Sequence, residues 1–187
     1  CALPISALGI CPAWGGCKEL LSRFENNKNL QNGPMPAIMK AFQTIGLAKT
    51  STSAPEAREI GFLRSEDGIT MNKDRLLHDA KLVAINLIET YVKPEKLTYS
   101  LPGRTAFAAL ELGLKGMFDN GQISEHDKFI GQQIAVILSG GETDMLNEVG
   151  EDHILKLESN SIQTLFKQPK SQERIEKLLE TGKIIRN

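Results

Sequence analysis

The sequence predicts a mainly α-helical chain, and three observations carry that reading. Apolar residues recur at three-and-four spacing through most of its 187 positions, the period of one helix face. A short alternating pattern of the kind a half-buried strand needs is hard to find anywhere. Segment after segment opens on Ser, Asn or Pro and closes on Gly, the residues that start and stop helices.

Trp14 to Phe24 reads as a helix begun through Gly15 and Gly16, followed by "NNKNLQNGP", a loop of turn formers, and then by a helix from Pro36 to Ile45. In "SAPEARE" Ser53 can cap and Pro55 can sit in the first turn, with Gly61 as the stop. "FLRSEDGITM" holds the best candidate for a brief extended piece around an Asp67-Gly68 turn. Asn72 can cap a long helix whose Leu76, Ala80, Val83 and Leu87 share one face, which predicts that this face is buried. "VKPEKLTYSLPGR" is interrupted by prolines and predicts an extended linker, dividing the chain into residues 1–92 and 93–187.

Beyond the linker, Phe107, Leu110, Leu114 and Met117 mark a helix that stops near Asn120-Gly121. Gly113 and Gly116 lie inside it at about 1 kcal/mol each against Ala, which predicts close backbone packing there. Ser124 and Asp127 form a cap signal ahead of Ile130, Ile134 and Ile137, and Gly140-Gly141 ends that helix. Glu151 to Phe166 and Lys170 to Thr181 follow, the second stopped by Gly182 ahead of a short tail.

Charge excludes some functions. The chain has 22 basic and 23 acidic residues, interspersed, so neither nucleic acid nor an anionic membrane surface is an expected partner. No apolar run approaches the ~20 residues of a bilayer span and no basic-then-apolar leader is present, so a cytoplasmic protein is expected. Cys1, Cys11 and Cys17 are odd in number and lack the spacing of a zinc site, which predicts reduced thiols and no metal. "CALPIS" lacks Met and fits no helix or strand pattern, as at a cut end or a junction carrying foreign residues.

A glycine-rich turn that opens a helix presents free backbone N–H groups to an anion or a ligand. "PAWGGCKEL" fits that in outline, though without the phosphate-binding spacing, so taken alone it reads as a loop packed on its helix. His78, His126 and His153 each sit beside acidic residues with no partner signature for nucleophilic catalysis, so solvated or capping roles are expected. Asp119, Glu142 and Asp144 are read as surface carboxylates.

"LGICPAWGGCKELL" resembles the crotonase (enoyl-CoA hydratase/isomerase) family, whose chains carry G-[LIV]-x-P-x-x-G-G-[TC]-x-x-L. Gly9, Pro12, Gly15, Gly16, Cys17 and Leu20 match it in order. With "STSAPEAREIGFLRSEDGITMNKDRLLHDAK", "LPG" at Leu101 to Gly103, "GGE" at Gly140 to Glu142 and "RIEKLLETGKIIRN", the ensemble looks like the C-terminal end of the bifunctional 3-hydroxyacyl-CoA dehydrogenase/enoyl-CoA hydratases of fatty-acid β-oxidation.

That resemblance implies that residues 1–92 end a crotonase-like α/β fold and that 93–187 are a helical extension. It implies an acyl-CoA thioester as substrate, NAD as cofactor of the parent protein with its site outside this chain, and association into a homo-oligomer. In the family two backbone N–H groups hold the thioester oxygen while carboxylates add or remove water across the double bond. Pro12, Trp14, Gly15 and Gly16 would line the acyl pocket. One family Glu should stand four residues before Gly9, where this chain has Ile5, which can move no proton. Either that Glu was lost with the natural upstream residues, or the chain never had hydratase chemistry. A fragment inactive alone is therefore implied, and the alternative is a non-catalytic helical interaction module derived from a crotonase-like domain.

Overall fold

The computed structural model describes residues 5–27 and 29–187; Cys1 and Lys28 lie outside them. The described chain is mainly helical: α1 (Gly16–Glu25), α2 (Pro34–Gly46), α3 (Ala54–Glu59), α4 (Leu76–Leu87), α5 (Arg104–Asp119), α6 (Glu125–Ser139), α7 (Glu151–Phe166) and α8 (Pro169–Thr181). Two short strands, β1 (Thr98–Tyr99) and β2 (Val149–Gly150), pair antiparallel with Thr98 opposite Gly150 and Tyr99 opposite Val149.

Helix α6 is the central element, packed on α1, α2, α5 and α7. Its Ile130, Ile134, Ile137 and Leu138 are all buried, each contributing on the order of 1.5–3 kcal/mol by leaving water. Its start is the anticipated capping box: Ser124 Oγ accepts the Asp127 N–H at 3.1 Å and Asp127 Oδ2 accepts the Ser124 N–H at 3.1 Å. Its end is Gly140, left-handed at φ 87°. The close backbone approach of α5 and α6 occurs at Gly131, where a Cβ would stand 2.5 Å from Leu114 Cδ2. Gly113 and Gly116 do not serve that purpose, since a Cβ on either meets nothing within 4 Å; they face away from the helix pair.

Several sequence expectations shift. Helix α1 begins two residues late, because Trp14 (φ 54°) and Gly15 (φ 86°) are both left-handed and cannot belong to a right-handed helix. No strand forms in 62–71; Asp67 Oδ2 instead accepts the Arg64 N–H at 2.8 Å and closes a local turn. Asn72 caps a 3-10 turn, Lys73–Arg75, that leads into α4. The α4 stripe expected to be buried is open: no residue of that helix is buried.

The stretch expected to be a linker is part of the body at its end. Tyr99 and Leu101 are buried in one apolar cluster with Leu21, Phe24, Ile38 and Ala41 from before residue 92 and Leu110, Ile134, Ile154 and Leu165 from after it. Arg23 fastens the turn after α3 to α1, its Nη1 donating to the carbonyl of Phe62 at 2.6 Å.

Candidate functional site

The glycine turn is built by two consecutive left-handed residues. Ala13 O accepts the Gly16 N–H at 3.2 Å, and the reversal aims the N-terminus of α1 at the flank of α7. The first N–H groups of a helix have no partner inside it. Here Glu158 of α7 supplies one: its Oε2 accepts the Gly15 N–H at 2.6 Å and its Oε1 the Lys18 N–H at 2.8 Å. Glu158 is 1% exposed, so the carboxylate is sealed into the turn. Burial pushes its carboxyl above the usual range, although bonds from the Lys18, Gly15 and Cys17 N–H groups and the Lys18 charge pull it down.

Pro12, Gly15 and Gly16 come together around this helix start. A Cβ on Gly16 would stand 2.7 Å from Pro12 Cβ, so the ring of Pro12 requires glycine there. Trp14 departs from that group: its side chain is wholly exposed, because the left-handed backbone turns it out to solvent. Ile5 opens a half-buried 3-10 turn, Ile5–Leu8. Cys11 and Cys17 are buried free thiols, and burial raises the Cys11 thiol to about 12 and Cys17 well above its ordinary value. Among the described residues no group of three His, Cys, Asp or Glu side chains could hold a metal ion.

A second polar cluster ties α6 and α8 to the residues before the glycine turn. Ser171 Oγ donates to Gly9 O at 2.6 Å and lies 3.0 Å from His126 Nε2. Since the hydroxyl has one proton and Gly9 O receives it, His126 Nε2 is the donor and cannot serve as a base toward Ser171. His126 is 5% exposed, which corrects the solvated role expected of it: α8 covers it. His153 Nε2 donates to Gly140 O at 2.8 Å, holding α7 to the end of α6, and His78 stays exposed. Arg174 is fully buried, its Nη1 2.8 Å from Asp127 Oδ1 and its Nε donating to Asn187 Oδ1 at 2.8 Å.

No family model and no solved structure matches the chain. A curated protein does. The chain is 41% identical over 183 residues to "Probable 3-hydroxyacyl-CoA dehydrogenase" of Bacillus subtilis (strain 168). The match takes in 97% of this chain and 23% of that protein. The likeness thus runs through nearly every element described above, while the chain spans less than a quarter of its relative.

The Bacillus likeness also covers the "LPG" and "GGE" stretches, which meet in space. Gly103 N donates to Ser139 O at 2.9 Å, and a Cβ on Gly103 would collide with the carbonyl of Thr143. Arg104 pairs with Glu142 across the same junction, both exposed. Asp144 accepts the N–H groups of Leu146 and Asn147 at 2.9 and 3.1 Å, a turn-closing role, so Glu142 and Asp144 are both committed locally. No described helix is long and apolar enough to cross a membrane.

Sequence reading missed Glu158, Ser171 and Arg174. The signal for Glu158 was present: Ile154, Glu158, Ser161 and Leu165 share one face of α7, all buried, so a carboxylate sits at a core position of an apolar stripe. For α8 the signal was faint, because its buried residues are Ser171 and Arg174, which look like surface residues by type.

Proposed function

We propose that this chain is the C-terminal part of a longer fatty-acid β-oxidation enzyme. That enzyme would act on acyl-CoA thioesters as an NAD-dependent 3-hydroxyacyl-CoA dehydrogenase with a crotonase-like unit, of which residues 1–92 are the end and 93–187 a helical extension. The observation that carries the reading is 41% identity across 97% of the chain to the Bacillus dehydrogenase, of which it spans 23%. The match of Gly9, Pro12, Gly15, Gly16, Cys17 and Leu20 to the crotonase pattern supports the second unit.

The 187 residues alone are proposed to be inactive. The described residues do not fit NAD: their strands are β1 and β2 only, an antiparallel pair, and the chain has no Gly-x-Gly-x-x-Gly. Hydration chemistry lacks a proton carrier at Ile5, and Glu158 already fills two N–H groups of the glycine turn. The test is the purified chain assayed for hydration of crotonyl-CoA and for NADH formation from 3-hydroxybutyryl-CoA, beside the longer polypeptide of the same reading frame. No turnover by the chain with NADH formation by the longer protein is the expected result; turnover by the chain alone overturns the inactivity.

The carboxylate seal at Gly15 also favours a second reading, a helical module whose glycine turn is purely structural. Acyl-CoA then leaves the unfolding temperature unchanged, whereas a retained acyl subsite raises it by selective binding to the folded state.

A further inference from the structure

The segment from Met71 to Thr98 stands off the body: apart from a half-buried Asp79, every residue in it is exposed. Its helix α4 places Leu76, Leu77, Ala80, Val83, Leu87 and Ile88 side by side, a stripe broader than the ~100° face of an ordinary surface helix. Leu77 is 82% and Ile88 72% exposed. On one flank Asp79 takes a hydrogen bond from Thr70 at 3.1 Å and pairs with Arg75 at 3.5 Å, and on the other Lys81 borders the stripe beside Leu77. A partner for this face therefore has to bring apolar area.

The arm is fixed at both roots. Phe62 packs on the main apolar cluster before it and Tyr99 is buried after it, so the arm leaves and rejoins the folded body at set points, while α4 itself packs on the Lys73–Arg75 turn. A broad contiguous exposed apolar patch marks an interaction surface.

We propose that the α4 face is the seat of another unit of the same polypeptide, which covers it with an apolar surface from outside these 187 residues. This rests on the reading of the chain as part of a longer enzyme. More than three quarters of the Bacillus relative lies outside the matched region, since the chain spans 23% of it. A unit tethered in the same polypeptide faces α4 at an effective concentration of up to millimolar order, which outcompetes a second copy in free solution.

The experiment is amide hydrogen exchange at residues 76–88, read in the 187-residue chain and in the longer polypeptide of the same reading frame, with sedimentation of the chain and its Val83→Asp variant. The expected result is fast exchange in a monomeric chain and exchange slowed at least tenfold in the longer polypeptide. Equal exchange in the two overturns the proposal. So does a dimeric chain with protected α4 that Val83→Asp returns to monomer, because the occupant is then a second copy, and so does a reading frame that encodes nothing beyond these residues. NADH formation by the longer polypeptide is read separately: protection without NADH keeps the docking and removes the activity, and NADH without protection does the reverse.

Discussion

Arg174 and Asp127 form a bonded pair, 2.8 Å apart, in which the guanidinium has no exposed surface and the carboxylate very little. The pair joins α8 to the start of α6, and through the bond from Arg174 to Asn187 it also fixes the last residue of the chain. Removing one partner strands the other charge away from water, at about 3–5 kcal/mol. Asp127→Ala is thus expected to lower urea-measured stability by about 3 kcal/mol. Asp127→Ala with Arg174→Met should cost less than the two single changes added, because no buried charge is left over.

Acid should weaken the same pair. Burial pushes the Asp127 carboxyl up, but bonds from Arg174 and Ser124 outweigh it and hold the carboxyl below its ordinary value. A depressed carboxyl gives stability that is complete above the unfolded value, near ~3.9, and is lost as pH falls through the folded one. Urea midpoints through that range should fall in the parent and stay flatter in Asp127→Ala.

His126 should act at milder pH. Burial keeps its imidazole neutral, and Arg174 and Lys170 reinforce this against a weaker pull from Asp127. The unfolded ring titrates near ~6.5 and the folded ring lower, so the unfolded state binds more protons in between. Stability is then complete above about pH 6.5 and declines below it until the folded ring titrates. His126→Gln, which can still donate to Ser171, should flatten the change in unfolding temperature between about pH 7 and 5. An unchanged slope would show that another group sets it.

Glu158 gives a prediction of opposite pH sign. Glu158→Ala leaves the Gly15 and Lys18 N–H groups without their acceptor and should cost about 1–3 kcal/mol. Glu158→Gln keeps one acceptor oxygen and cannot titrate, so it serves as the pH-insensitive comparison. Because the folded carboxyl is raised, its contribution is complete below ~4.3 and lost as pH rises through the folded value. The Glu158→Gln penalty should therefore be larger near pH ~4 than near ~7, and denaturant titrations at both would read it.

Helices were legible in the sequence because capping and periodicity are local. Ser124 with Asp127, Ser53, Asn72 and Gly182 each act within a few residues of the signal they carry. What periodicity cannot say is which apolar face finds a partner. The α4 stripe has a good helical pattern and is open, while the proline-broken stretch ending at Leu101 has a poor one and is buried. The glycine turn was legible as a turn and its closure was not, because Glu158 lies 143 residues from Gly15 along the chain. Trp14 was expected on the pocket wall from its place in a motif, and in the described residues its side chain is exposed at a positive φ.

Gly103 and Gly113 should respond to alanine in opposite directions, though both belong to the α5 region. Gly103 sits at φ 56°, ψ −126°, a conformation that L residues rarely adopt, with the Thr143 carbonyl where a Cβ would go. Gly103→Ala should cost about 2 kcal/mol or more, since backbone strain and displacement of the 140–147 loop act together. Gly113 is in mid-helix with open space around the absent Cβ. Gly113→Ala should stabilise by about 0.5–1 kcal/mol through helix propensity and a less flexible unfolded chain. Urea midpoints of the two variants against the parent decide the matter. A destabilising Gly113→Ala in the 187-residue chain would overturn the open space read at that position, and one seen only in the longer polypeptide would mean that a surface outside the 187 residues covers the exposed side of α5.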